Sequence, residues 1–117
     1  MIIGIGARRG VTAEEVMEAI TLSLEESGLD IRDVTAFASA EIKRDEKGLI
    51  EVSEITGIPI HFISHEEINR CEVPSASRAE RLGLKGVAEP GALVLSDQKI
   101  LIMKKKAYGR VTIAIAE

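Results

Sequence analysis

Hydrophobic and polar positions change period several times along the chain, and each change marks an element. Ile2-Ile3-Gly4-Ile5-Gly6 is a short apolar run ending in glycine, followed by Ala7-Arg8-Arg9-Gly10 and a strong helix start; the pattern reads as strand, loop, helix. Thr12 with Glu15 three places on makes a capping box, Ala13, Val16, Met17, Ile20 and Leu24 recur at helical spacing, and Gly28 supplies the stop. One amphipathic helix over roughly 13–27 is predicted. Residues 34–40 are apolar or small on both parities, as in a central strand covered on both faces, so helices should flank it.

After the polar stretch Glu41 to Glu46, Leu49, Val52 and Ile55 fall on one helical face closed by Gly57 and Pro59, with Asp45 as the expected cap. Ile60-His61-Phe62-Ile63 reads as a third strand. Two strand–helix–strand units result, and right-handed crossovers make the first three strands parallel. Ser64 with Glu67 repeats the capping-box spacing and begins a short helix that Pro74 keeps from running far past Arg70. Ser75 or Ser77 caps another short helix ending at Gly83. Val87 to Leu95 is continuously apolar and suits a buried helix or strand; Pro90 near its start favours the helix. Lys99 to Lys104 and Arg110 to Ala116 are β-rich and joined by a Lys/Gly loop, the pattern of an antiparallel hairpin that completes the sheet.

A length of 117 residues, 45% hydrophobic and 29% charged, fits a single domain over 1–117. Phe37, Phe62 and Tyr108 are the only aromatics, so the core is built of aliphatic side chains and base-stacking surfaces have no material. Fifteen Lys and Arg against nineteen Asp and Glu give a net charge of −4, the wrong sign for a nucleic-acid partner. The lone Cys71 forms neither an internal disulfide nor a thiolate cluster. Apolar runs fall short of the ~20 residues that span a bilayer, and the start lacks the basic region of a signal peptide. The expected address is the cytosol, with no membrane partner.

Ligands of open parallel sheets bind outside the carboxyl ends of the strands. Here that edge carries Gly6 to Gly10, Glu41 to Glu46 and Ser64 to Glu67. Gly4, Gly6 and Gly10 permit close backbone approach, and Arg8 and Arg9 add two cationic forks beside a helix N-terminus, a combination suited to a carboxylate or phosphate. Equally, the glycines serve strand–helix packing and the arginines are solvated. The spacing Gly-x-Gly-x-x-x-Gly is one residue longer than the dinucleotide fingerprint, and no Gly-Lys-Ser/Thr follows, which excludes a P-loop. Along an extended stretch Glu41, Lys43 and Asp45 share one side, either as acid–base groups or as a solvated loop. His61 and His65 are split by a strand-to-helix break, so no metal site is expected there. Cys71 reads as a small buried hydrophobe. Lys104 to Lys106 reads as a solvated hairpin turn that with Arg110 could attract an acidic ligand. Glu89 is a lone acid in an apolar segment, either starting a helix or held at a site.

The stretch Gly4 to Glu15 resembles the opening of the cobalamin-biosynthesis family that comprises CobE and the C-terminal domain of CbiG, and the resemblance runs along the whole chain. Ser39 to Leu49 is similar to the family's second-strand segment, Val73-Pro74-Ser75 to its short loop motif, Gly86 to Leu93 to its later helix, and Lys104 to Ala116 to its terminal hairpin.

The resemblance implies an α/β fold, a three-layer α/β/α sandwich with a mostly parallel sheet, acting in corrin-ring assembly. Family members with the full two-part chain open the ring A lactone of a cobalt-precorrin by hydrolysis, releasing a two-carbon aldehyde. This chain covers the C-terminal part, so a separate CbiG-like N-terminal chain is an expected partner, or the domain works without that chemistry. Where the family commonly has Cys after the second glycine this sequence has Ala7, which rules out a thiol mechanism there. The expected ligand is a corrinoid intermediate rich in carboxylates, which itself brings any cobalt; no cofactor is expected. Gly6, Arg8, Arg9, Gly10 and Ser75 are the expected binding residues. For hydrolysis, Glu46 or Glu89 would activate water and Lys43 or Arg8 would steady the oxyanion. A non-catalytic corrinoid carrier and a small phosphate- or nucleotide-binding module are the alternatives.

Overall fold

The opening apolar run forms strand β1 (Ile2–Ala7) and the capped segment after it forms helix α1 (Ala13–Ser27) in a computed structural model that describes residues 1–70 and 87–117. The capping box is complete. Thr12 Oγ1 accepts from the Glu15 N–H at 3.1 Å, and the Glu15 carboxylate accepts from the Thr12 N–H at 3.2 Å. At the other end Gly28 takes a left-handed φ of 66°, which a side chain would resist. Thr12→Ala removes one half of the reciprocal cap and is expected to cost about 1 kcal/mol. Chemical denaturation reads this as a lower midpoint; an unchanged midpoint would show that the cap adds no stability.

Strands β2 (Ala36–Ala40) and β3 (Ile60–Ile63) enclose α2 (Lys47–Thr56). They are followed by α3 (His65–Arg70), α4 (Ala88–Leu95) and the hairpin β4 (Leu101–Tyr108) and β5 (Val111–Ala116). The result is a five-stranded mixed sheet in the order β3-β2-β1-β5-β4. β1, β2 and β3 are parallel as their crossovers require, and β5 is antiparallel to both β1 and β4. Strand alternation divides the core. Ile3, Ile5, Phe37, Val111, Ile113 and Ile115 cluster with residues of α1 and α2, whereas Ile2, Ala36, Ala38, Ala40 and Ala116 cluster with Ile68, Ala92 and Leu93 of α3 and α4. β2 is buried along its whole length, as its double-parity pattern predicts.

Small residues set how closely α4 approaches the sheet. A Cβ on Gly4 would lie 1.9 Å from the Ala88 carbonyl oxygen, and one on Gly91 would touch Ala38 Cβ at 3.5 Å. Gly4 therefore serves strand–helix packing. The continuously apolar stretch before Ser96 is helical, and its C-terminal carbonyls are capped by Lys99, whose Nζ donates to the Leu93 and Val94 oxygens at 2.8 Å each.

Three expectations are corrected. Ile55 is 67% exposed, because six positions carry it about 120° round the helix from Leu49; the buried face of α2 is Gly48, Leu49 and Val52. Lys104 to Lys106 belong to β4, and the hairpin turn is Gly109-Arg110, with Gly109 at φ 64°. The Tyr108↔Val111 pairing sets this two-residue turn, while lysines on an edge strand discourage further strand pairing. Lys106 pairs with Glu26 and sits 5.6 Å from the Tyr108 ring centre. Asp45 does not cap α2: the cap position is Glu46, without a side-chain cap bond. The expected helix ending at Gly83, its caps Ser75 and Ser77, and Cys71 lie outside the described residues. Among the described residues, no helix is long and apolar enough to cross a membrane.

Candidate functional site

Between β1 and α1 the chain crosses the carboxyl end of the sheet, where it is fastened to the loop after β2. Arg9 donates from Nη1 to Asp45 Oδ1 at 2.8 Å and from Nη2 to the Ile42 carbonyl at 2.8 Å; Glu46 Oε2 lies 3.5 Å from Nη1. The Gly10 N–H donates to Glu46 Oε1 at 2.8 Å. Thus the Arg9 fork and the Gly10 amide, groups suited to an external anion, hold carboxylates of this same chain. Hydrogen bonding to Asp45 and then its charge raise the Arg9 pKa, while the same contact lowers that of Asp45. Side-chain exposures of 55% and 72% make this a surface pair that contributes little to stability. Glu46 is buried. Arg8, exposed like Arg9, differs in that among the described residues its guanidinium makes no hydrogen bond or ion pair.

Local packing explains this arrangement. A Cβ on Gly48 would lie 2.4 Å from the Val11 carbonyl oxygen, so α2 begins directly beneath the loop that leads into α1. Residues Glu41–Lys43 form a 3₁₀ turn rather than an extended stretch, which ends the one-sided alternation of Glu41, Lys43 and Asp45. Positions three apart meet in such a turn, and Arg44 accordingly pairs with Glu41 at 3.2 Å. Lys43 is half-buried.

The hairpin turn braces the same loop. Arg110 Nε donates to Glu15 Oε2 at 2.9 Å, its Nη2 also contacts Glu15, and Nη2 donates to the Gly10 carbonyl at 3.3 Å. The Arg110 hydrogen bond, followed by the Thr12 amide, lowers the Glu15 pKa from 4.5 to about 2. A depressed carboxylate stabilises the fold fully above its unfolded value, and that stability is lost as pH falls from about 4.5 through about 2. In Arg110→Ala the Glu15 titration, followed by carboxyl NMR, is expected to move up toward 4.5. A midpoint still near 2 would show that Arg110 is not the cause.

A cleft of about 760 Å³ opens at the carboxyl ends of β2 and β3, within the size range of ligand sites. Ala40, Ile42, Ile68 and Val87 form its apolar walls; Glu41, Arg44, Asp45, His65 and Asn69 are its polar members. Ile42 is 71% exposed, a large apolar surface open to a ligand. Of the residues singled out by sequence, Arg9 and Gly10 are bonded to the chain that forms the cleft wall, whereas Gly6, Arg8, Lys43 and Glu46 belong to adjoining segments. A Cβ on Gly6 would meet only ordinary contacts, the nearest being Thr112 Cβ at 3.7 Å. Glu89 is elsewhere: buried on α4, it accepts from the Lys105 N–H at 2.9 Å and ties α4 to β4. Ser75 lies outside the described residues. Ile42, Arg44 and His65 fall in the two segments, Glu41 to Glu46 and Ser64 to Glu67, that the sequence places on the ligand edge, though without a binding role for any of the three, and Ile68 lies just beyond them. Their position just after β2 and β3, on the ligand edge of a parallel sheet, is the signal that points to them. Among the described residues no group of three or more His, Cys, Asp or Glu is placed to hold a metal ion.

Residues 1–116 match the family described as Cobalamin synthesis G C-terminus. The chain is 35% identical over 116 residues to a cobalt-precorrin-5A hydrolase of Priestia megaterium, with 97% of this chain and 31% of the relative covered. It is 33% identical over 128 residues to a probable cobalt-precorrin-5A hydrolase of Methanocaldococcus jannaschii, covering 97% of this chain and 39% of that one. It therefore spans about a third of the length of these two relatives. The crystal structure of CobE, a protein from the cobalamin (vitamin B12) biosynthetic pathway, superposes with a TM-score of 0.81 at 33% identity, covering 97% of this chain and 89% of CobE.

Proposed function

Because the chain belongs to the Cobalamin synthesis G C-terminus family, related to cobalt-precorrin-5A hydrolase and concerned with cobalamin biosynthesis, we propose that its cleft binds a corrinoid intermediate, in or alongside a hydrolase that opens the ring A lactone. The observation that carries this reading is the cleft itself, with Ile42, Ile68 and Val87 on its walls and Arg44 among them. Apolar walls suit the face of a macrocycle, and guanidinium groups suit its acetate and propionate substituents. Arg8, exposed on a loop that Arg9 bonds to the Ile42 carbonyl, is the second carboxylate anchor. Arg9 and Gly10 act one step back, holding that loop through Asp45 and Glu46.

For hydrolysis within the domain, Lys43 steadies the developing oxyanion and Glu46 activates water, Glu89 being held on α4 away from the cleft. Glu46 is engaged by Gly10 and Arg9, and Glu89 by the Lys105 amide. That engagement favours the second reading, a carrier that retains the corrinoid without converting it. The same proposal takes the architecture as three layers, α/β/α, supported by the division of the core between α1 with α2 and α3 with α4.

A spectrophotometric titration with cobyrinic acid, a cobalt corrinoid whose side chains end in free carboxylates, tests the binding. Saturable uptake is expected, weakening as salt is raised; no uptake would reject the reading. Incubation with the lactone-bearing intermediate separates the two roles, because aldehyde release by the isolated chain marks an enzyme and retention without release marks a carrier.

A further inference from the structure

We propose that His65 is the axial nitrogen ligand to the cobalt of a corrinoid seated in the cleft, an inference that rests on the corrinoid reading above. A corrin ring binds cobalt through nitrogens in its own plane and leaves the axial positions open to a donor from the protein. Imidazole is a common protein ligand for transition metals. His65 begins α3 and lines the cleft together with Ile68 and Asn69. Spacings of three and four bring these residues onto one helical face, so the donor and an apolar support for the ring lie on the same wall.

The other polar groups of the cleft are poorer candidates. The Glu41 carboxylate is paired with Arg44 and that of Asp45 with Arg9, and a guanidinium has no lone pair to offer. His65 is exposed, and among the described residues its ring makes no hydrogen bond or ion pair. His61, the other histidine, lies on β3 and is not among the cleft-lining residues. Ile42, Ile68 and Val87 line the same cleft and offer apolar surface to the face of the ring.

Electron paramagnetic resonance of cobalt(II) cobyrinic acid bound to the protein provides the test, because this probe carries no axial base of its own. The wild type and a His61→Ala control should show superhyperfine splitting by one nitrogen nucleus, and His65→Ala should lose it. His65→Ala should also bind the cobalt corrinoid about tenfold more weakly yet bind metal-free hydrogenobyrinic acid as the wild type does. Tight cobalt-corrinoid binding without nitrogen splitting, or splitting that survives in His65→Ala, would overturn the ligand assignment while leaving the corrinoid reading intact. Failure of the wild type to bind either corrinoid would overturn both.

Discussion

Gly4→Ala is expected to destabilise the protein by about 3 kcal/mol, a large share of the 5–15 kcal/mol that holds a typical domain folded. The added Cβ would lie 1.9 Å from the Ala88 oxygen, 2.8 Å from the Ala88 carbonyl carbon and 2.9 Å from the Ala92 nitrogen. All three are backbone atoms of α4, so no side-chain rotation relieves the clash and the helix must move off the sheet. That movement opens the cluster in which Ala92 and Leu93 pack against Ile2, Ala38 and Ala116. Gly6→Ala is the control. Its nearest contacts, 3.7–4.0 Å, are ordinary van der Waals distances, and a cost under about 1 kcal/mol is expected. Denaturation midpoints that fall equally in the two variants would contradict the packing assigned to Gly4.

Glu46→Ala is expected to cost about 2 kcal/mol, the scale of a hydrogen bond to a buried carboxylate, and to weaken cobyrinic acid binding about tenfold through loss of preorganisation. Glu46 receives the Gly10 N–H at 2.8 Å and faces Arg9 at 3.5 Å, so its removal loosens the loop that carries Arg8. Glu46→Gln keeps an oxygen for the Gly10 amide and should recover most of both losses. Recovery by glutamine identifies a positioning role. If Glu46→Gln instead binds normally but abolishes aldehyde release, Glu46 is the water-activating base.

The elements legible in the sequence are those whose signals are local. Thr12, Glu15 and Gly28 delimit α1 with no reference to the rest of the chain, and the small and apolar residues of β2 declare a strand covered on both faces. Pro90 decides for a helix in a segment whose hydrophobicity alone is ambiguous. Ile55 fails on local helix geometry alone, being about 120° round from Leu49, whereas the other failures involve partners distant in sequence. Arg9 and Asp45 are 36 residues apart, and no local rule announces that the arginine reaches the next loop and leaves α2 without an aspartate cap. Lys104 to Lys106 imitate a turn by composition, but backbone pairing to Ile113, Thr112 and Val111 extends β4 past them. The ligand edge follows from strand order, yet which side chains line the cleft depends on the 3₁₀ turn after β2 and on α3, whose orientations no periodicity reveals.

Titration of cobyrinic acid into the wild type and an Arg8→Ala/Arg44→Ala double variant tests corrinoid binding by the cleft most directly. Neither change should unfold the protein, since the Arg8 guanidinium has no partner among the described residues and Arg44 makes only an exposed pair with Glu41. Loss of two charge-assisted carboxylate contacts is expected to weaken binding about 100-fold at low salt, with denaturation midpoints unchanged. Equal affinities for the two proteins would contradict carboxylate capture by these arginines.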